Sequence, residues 1–255
     1  MYQYWEDFIN AWNKGGSYSG WTNPDSIPLY NNPDNKDLSS IYLPEPWWGN
    51  DGTPPLHSVV INFNPGEGGP SQERGKIRVS SYSKDVVNNP SVLSETRKWH
   101  WNNRAKPLLE ILQKNGFITG NVGLDNHLSI ELVLWHTKGV SNALYAYIEN
   151  NIIPIYEHSI CFAANESRRI ANTKLNSVVI LKMSESATKL LLCYLNKIGI
   201  SSSIVKPTIM SGRGKSIEFA INSLSGVRFV SIWGTSSRNN FPSHPDLDNI
   251  IIKHI

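Results

Sequence analysis

Two polar side chains in this sequence stand where they can do chemistry. Asn64 opens the tripeptide Asn64-Pro65-Gly66 directly after a run of apolar, strand-forming residues. An amide at the end of a strand can orient a water molecule or hydrogen-bond the edge of a heterocycle, although asparagine also opens Pro-Gly turns for conformational reasons alone. His244 precedes Pro245 in a late turn. It can stabilise negative charge on a leaving group, or it is an ordinary loop histidine.

A second strand-like segment, Leu128–Leu134, delivers Trp135 and His136 to its end. His136 has the same two interpretations as His244, and the neighbouring Lys138 adds a cation. In an open α/β sheet, ligands bind outside the carboxyl ends of the strands. We therefore expect the polar residues that follow these strands to gather at one edge of a sheet.

Basic residues cluster in two short segments that can contact phosphate. Arg213 and Lys215 lie in the glycine-flanked sequence Ser211–Lys215, and Arg238 follows the last predicted strand. Glycine lets main-chain amides and cations approach phosphate closely, whereas the spacing is not that of a nucleotide-binding P-loop. Trp99–Arg104 interleaves aromatic and basic groups in the manner of single-strand binders. A solvated surface is the alternative for both segments.

The sequence predicts neither a metal site nor a cofactor site. The histidines show no metal-ligand spacing, and no dinucleotide-binding fingerprint is present. Cys161 and Cys193 are too few for a disulfide framework, and their apolar neighbours predict buried, reduced thiols.

Strands alternate with helices along the chain, which predicts parallel strands joined by helical crossovers. The fold class is α/β, a three-layer α/β/α arrangement with a short, mostly parallel central sheet. Ser184 is predicted to cap one helix, and Gly116 is predicted to follow the end of another. The sequence predicts strands at 59–63, 128–134, 178–181, 216–220 and 227–233, and helices at 94–115, after 141, at 185–199 and at 246–255.

Composition divides the chain into two parts. Residues 1–55 are rich in Pro, Asn and aromatic residues and are predicted to form an extension packed on the domain formed by residues 56–255. Trp47 and Trp48 are predicted either to cover the edge of the sheet or to form an aromatic wall for a flat ligand.

Net charge and hydropathy limit the possible classes of function but do not identify one of them. The chain has 255 residues, a formal net charge of +3 and a sequence pI near 8.7, which permits a polyanionic partner. The first residues lack the features of a secretory signal, and no apolar stretch is long enough to cross a bilayer. We expect a cytoplasmic protein without membrane contact. The oligomeric state is not predicted.

Two signatures of this chain resemble those of the uracil-DNA glycosylase superfamily. The first is a buried strand that runs into Asn-Pro-Gly, and Val59–Gly66 is similar to it. The second is a late strand followed by a loop with His-Pro, which Phe229–Gly234 and Ser243–Pro245 resemble. The segments Leu43–Gly49 and Glu131–Thr137 are similar to those of uncharacterised bacterial members.

The resemblance implies hydrolysis of the N-glycosidic bond of a deaminated or modified base in DNA, a DNA-repair reaction on a base flipped out of the helix. Asn64 would orient the attacking water, and His244 would hydrogen-bond the departing base. No cofactor and no metal would be required. The residues implied to bind the substrate are Asn62, Phe63, Pro65, Gly66, Trp135 and His136. The residues expected to contact DNA are Arg213, Lys215 and Arg238.

Two other functions remain open on the same sequence. One is a non-catalytic protein on the same fold that binds nucleic acid or a nucleotide. The weaker one is a carbohydrate-binding protein in which Trp47 and Trp48 form the sugar platform.

Overall fold

The computed structural model describes residues 47–49, 57–63, 101–123, 126–133, 142–169, 177–234 and 241–254. Within these residues the chain is an α/β protein built on a mixed sheet, as the alternation of strands and helices predicts. The described helices include none that is long and apolar enough to cross a membrane.

Seven described strands form one sheet in the order β1-β3-β2-β4-β7-β6-β5. The four central strands, β3, β2, β4 and β7, run parallel. The outer strands β1, β6 and β5 each pair antiparallel with their neighbours. The sheet is therefore parallel at its centre and antiparallel at its margins. The strands are β1 (Trp47–Gly49), β2 (Ser58–Asn62), β3 (His127–Glu131), β4 (Val178–Lys182), β5 (Ser202–Ser211), β6 (Gly214–Ile221) and β7 (Arg228–Gly234).

Helices cover both faces of the sheet, which gives three layers. On one face, α1 and α6 pack over Val60, Ile180 and Val230 of the central strands. On the other face, α2 to α5 enclose a larger core with the side chains that alternate with these, such as Ile61 and Leu181. The helices are α1 (Lys106–Lys114), α2 (Asn142–Asn150), α3 (Ile152–Ile155), α4 (Phe162–Arg168), α5 (Glu185–Lys197) and α6 (His244–His254).

Local sequence signals explain where α1 and α5 begin and end. Pro107 lies in the first turn of α1, which continues directly from a π-helical turn, Trp101–Ala105, so the proline stands where the π-helical turn passes into the α-helix. Gly116 follows the helix with φ +71, and the N–H of Phe117 bonds back to the carbonyl of Leu112 at 2.8 Å. This is the left-handed helix end that glycine favours. The Ser184 hydroxyl accepts from the N–H of Ala187 at 3.2 Å, so the predicted cap of α5 is confirmed.

Two strands at the margins of the sheet were not predicted. Strand β5 was not predicted, because most of its residues are exposed and it lacks an apolar run. Its register with β6 shifts on both sides of Lys206. The segment predicted as a basic loop is the turn of the β5–β6 hairpin, with Gly212 at φ +56 and Lys215 already inside β6. At the opposite margin, Trp47–Gly49 of the predicted extension pairs with β3.

Three smaller predictions also need correction. Strand β3 ends at Glu131, three residues before the predicted end. Helix α6 starts at His244, so this histidine is not in a loop. Both thiols are free as expected, yet Cys193 is exposed, and Cys161 is only partly buried where it packs against the core.

Candidate functional site

The path of the chain creates a crevice between the carboxyl ends of β2 and β4. After β2 the chain passes through α1 on one face to reach β3, and after β3 it passes through α2 to α4 on the other face to reach β4. Strand β2 therefore lies between β3 and β4 in the sheet. The strand order reverses here, and this is where open α/β sheets bind ligands.

Asn62 and Lys182 face each other across this crevice. They are register partners at the carboxyl ends of β2 and β4. The Lys182 ammonium donates to Asn62 Oδ1 at 2.5 Å. Asn62 Nδ2 donates to Ser129 Oγ at 2.6 Å and to Glu131 Oε1 at 3.0 Å. One asparagine thus joins three neighbouring strands by side-chain hydrogen bonds.

Charge is concentrated beneath the crevice. Lys182 is only 8% exposed. Burial holds its pKa well below the ordinary lysine value, the positive charge of Arg104 lowers it further, and Glu131 acts in the opposite direction. Burial also lowers the pKa of Arg104, which Glu131 partly offsets. Two cations and one carboxylate therefore share a poorly solvated space.

A small cavity lies among these groups. Its polar lining includes Asn62, Lys182 and Arg104, and its apolar wall includes Phe241, whose ring centroid is 5.9 Å from Lys182 Nζ. Among the described residues it has room for about one water-sized atom.

The floor of the cavity is a buried histidine that stays neutral. His127 Nδ1 lies 2.7 Å from the Ser58 hydroxyl. Burial, and secondarily the charge of Lys182, lowers the pKa of His127 to about 3. A neutral imidazole here adds no positive charge to the site at physiological pH.

Of the predicted substrate-binding residues, Asn62 and Phe63 lie among the described residues. Asn62 is at the crevice. Its amide is hydrogen-bonded to Ser129, Glu131 and Lys182, so its role in this structure is to position these side chains. Phe63 packs on the other face, with its ring centroid 6.1 Å from that of Tyr145. The other predicted site residues that lie outside the described residues are Asn64, Pro65, Gly66, Trp135, His136 and Arg238.

The segment that carries His244 borders the same edge of the sheet. Phe241, three residues earlier, lines the cavity with Asn62. His244 is exposed at the first residue of α6, and the Ser243 hydroxyl donates to Asp246 Oδ2 at 2.6 Å within the first turn. The imidazole is thus available to a ligand that lies over this end of the sheet.

Arg213 and Lys215 also lie at this edge. Lys215 pairs with Trp233, next to the end of β7, and Arg213 is exposed in the turn before it. Both cations belong to the margin of the sheet and do not line the cavity described above. Their side chains therefore lie beside the crevice and not within it.

Sequence reasoning missed the buried polar residues of the site. Lys182 ends the apolar strand β4, and His127, Ser129 and Glu131 alternate with apolar residues along β3. Central strands covered on both faces normally read as continuous apolar runs. Polar residues on one face of such a strand were the signal that could have revealed the site.

A second buried polar cluster lies at the other end of α6. The Ser216 hydroxyl is 2.7 Å from His254 Nε2, and His254 Nδ1 is 3.0 Å from Glu218 Oε2. These distances resemble those of a hydrolytic triad, yet the serine hydroxyl is fully buried and is not presented to a substrate. The cluster instead fastens the end of α6 to β6.

Comparisons with known proteins add no homologue to this geometry. No family model, curated protein or solved structure matches the chain. Within the described ranges, no group of three or more His, Cys, Asp or Glu side chains is arranged to hold a metal ion.

Proposed function

We propose that this protein is a uracil-DNA glycosylase-like protein that acts on a deaminated or modified base. The base would be flipped out of DNA into the crevice at the carboxyl ends of β2 and β4. The observation that carries the proposal is that Asn62, two residues before Asn64, and Phe241, three residues before His244, line one cavity. One residue of the first signature and one residue just before the His-Pro of the second therefore line the same cavity, which supports the proposal.

The charge of this edge also supports a nucleic-acid partner. Arg213 is exposed and Lys215 is partly exposed next to the end of β7, whereas Lys182 and Arg104 line the crevice. Cations at a rim bind phosphates without reading the sequence. A flipped base would then be directed toward the buried part of the site.

The proposed reaction is hydrolysis of the bond between C1′ of the sugar and a ring nitrogen of the base. That bond breaks with its electron pair leaving on the base, and the transition state is oxocarbenium-like. Water oriented by Asn64 forms the new C1′–O bond and releases a proton. His244 would donate a hydrogen bond to the base as it becomes negative. Since an amide is a poor base, positioning and leaving-group stabilisation would supply most of the acceleration.

The test uses oligonucleotides that contain one uracil or one other deaminated base, in single-stranded and duplex form. After incubation, abasic sites are revealed by alkaline cleavage. We expect wild-type protein to release the base, and Asn64→Ala and His244→Ala each to lower the single-turnover rate by about 10²–10³-fold. Asn249→Ala is the matched control, because Asn249 is exposed on the same helix as His244 and stands outside the proposed site.

Other outcomes separate the alternatives. Binding of the oligonucleotides that weakens steeply with salt, without abasic sites, would support the non-catalytic binding protein instead. Salt-independent binding of neutral glycans that is lost in Trp47→Ala would support the carbohydrate-binding alternative. Base release that is unchanged in both Asn64→Ala and His244→Ala would refute the roles assigned to these residues.

A further inference from the structure

Lys182 is a buried group to which the proposed reaction assigns no role. Its side chain is more than nine-tenths buried and lines the cavity beside Asn62. An ammonium carries three N–H donors, and the hydrogen bond to Asn62 Oδ1 uses one of them. A lysine held in this way can donate to an atom that enters the cavity.

The chemistry of the lining selects the kind of atom that fits. Lysine and arginine side chains are hydrogen-bond donors without acceptors. The space at Lys182 has room for about one water-sized atom. An oxygen that accepts hydrogen bonds fits these groups in size and polarity. An amino group beside Lys182 and Arg104 would set donor against donor.

We infer that this cavity binds one exocyclic oxygen of the heterocycle, and that Lys182 is a catalytic residue that stabilises the negative charge growing on that oxygen as the base departs. The inference rests on the proposed function. In the step concerned, the C1′–N electron pair moves into the base and is delocalised onto the oxygen next to Lys182 Nζ. The ammonium keeps its proton or transfers it to the departing base, and the base then leaves as the anion or as the neutral heterocycle.

The surroundings of Lys182 favour this role. The titratable groups facing it among the described residues are Arg104 before α1 and Glu131 and His127 on β3. Burial and Arg104 make the ammonium costly in the empty site, and both effects lower its pKa. An anionic oxygen offsets that cost only when it forms. Lys182 therefore stabilises the departing anion more than it stabilises the neutral base. Such preferential stabilisation of the charge that develops in the transition state is what accelerates a reaction.

The first experiment varies the acidity of the departing base. Single-turnover release of uracil and of 5-fluorouracil from otherwise identical oligonucleotides is measured for wild type, Lys182→Met and Lys182→Arg. Fluorine scarcely changes the size of the base but makes it a better leaving group. We expect Lys182→Met to slow uracil release by about 10²–10³-fold and 5-fluorouracil release several times less, with Lys182→Arg closer to wild type. Equal losses for both bases would mean a merely structural role.

The second experiment needs no turnover and uses the wild-type protein. Affinities for free uracil and free 5-fluorouracil are measured by calorimetry at one pH. We expect the more acidic base to bind more tightly, and the ratio of affinities to fall toward one in Lys182→Met. Equal affinities in the wild type would overturn the inference even if the variant did not fold.

The two experiments separate this inference from the proposed function. Base release with equal losses in Lys182→Met would remove the lysine role and leave glycosylase activity standing. Acidity-dependent binding without base release would support the oxygen site and remove the hydrolysis. If neither base release nor acidity-dependent binding is observed, both the role of Lys182 and the proposed function are overturned.

Discussion

His127 is expected to make the fold sensitive to mild acid. Its imidazole is 1% exposed, contacts the Ser58 hydroxyl and has a pKa of about 3 in the folded chain. The ordinary histidine value is 6.5. Because the folded pKa is the lower one, the unfolded chain binds the proton more readily. The neutral imidazole therefore makes its full contribution to the free energy of unfolding above about pH 6.5, and this contribution is lost as the pH falls.

The size of the effect follows from the two pKa values. Between 6.5 and about 3 lie about 3.5 pH units, and each is equivalent to about 1.4 kcal/mol. Full protonation would therefore cost about 5 kcal/mol, whereas at pH 5 the cost is about 2 kcal/mol. That is a large share of the stability of an ordinary domain.

The assay is urea unfolding of wild type and His127→Gln at pH 8 and pH 5. We expect the free energy of unfolding of the wild type to fall by about 2 kcal/mol more than that of the variant. Other buried histidines with lowered pKa, such as His57 and His254, titrate in both proteins and cancel in this difference. His244→Gln is the matched control, since His244 is exposed, and it should behave like wild type. Equal losses in wild type and His127→Gln would refute the neutral buried histidine.

Three further changes test the packing that positions the site, each by urea unfolding. Ser184→Ala removes the hydroxyl that caps α5 and should cost about 1 kcal/mol, whereas Ser184→Thr should restore most of it. Phe229→Ala removes a fully buried ring whose centroid is 5.1 Å from that of Phe219, and should cost about 3–5 kcal/mol; a cost below about 1 kcal/mol would contradict the packing. Asn62→Ala leaves buried partners unpaired on two neighbouring strands, β3 and β4, and should cost at least about 2 kcal/mol, and a neutral effect would mean that this network contributes little.

The elements that sequence reasoning predicted well are those whose signals are local. Apolar runs fix β2, β4 and β7, and the capping residue Ser184 and the terminal Gly116 mark helix ends. Strand β5 escaped prediction because an edge strand buries little and need not be apolar. His244 was placed in a loop because the proline after it was interpreted as a break, whereas proline also suits the first turn of a helix.

Sequence reasoning pointed to one edge of the sheet and missed the buried polar residues there. Asn62 and Phe241 line one cavity at that edge, whereas the predicted turn after β2 lies outside the described residues. The partnership of Lys182, Asn62 and Glu131 depends on the register of three strands that are far apart in sequence. No local pattern encodes that register, so these residues emerge only from the fold.

The outermost position of β5 also bears on how this protein resists fibril growth. The strand is ten residues long and exposes Ile204, Val205 and Met210, features that invite another chain to add to the sheet. Pro207 removes a donor from that margin, and the register shifts around Lys206 make it irregular. Because its backbone pairing is interrupted, β5 exposes apolar side chains and is still a poor template for amyloid-like stacking.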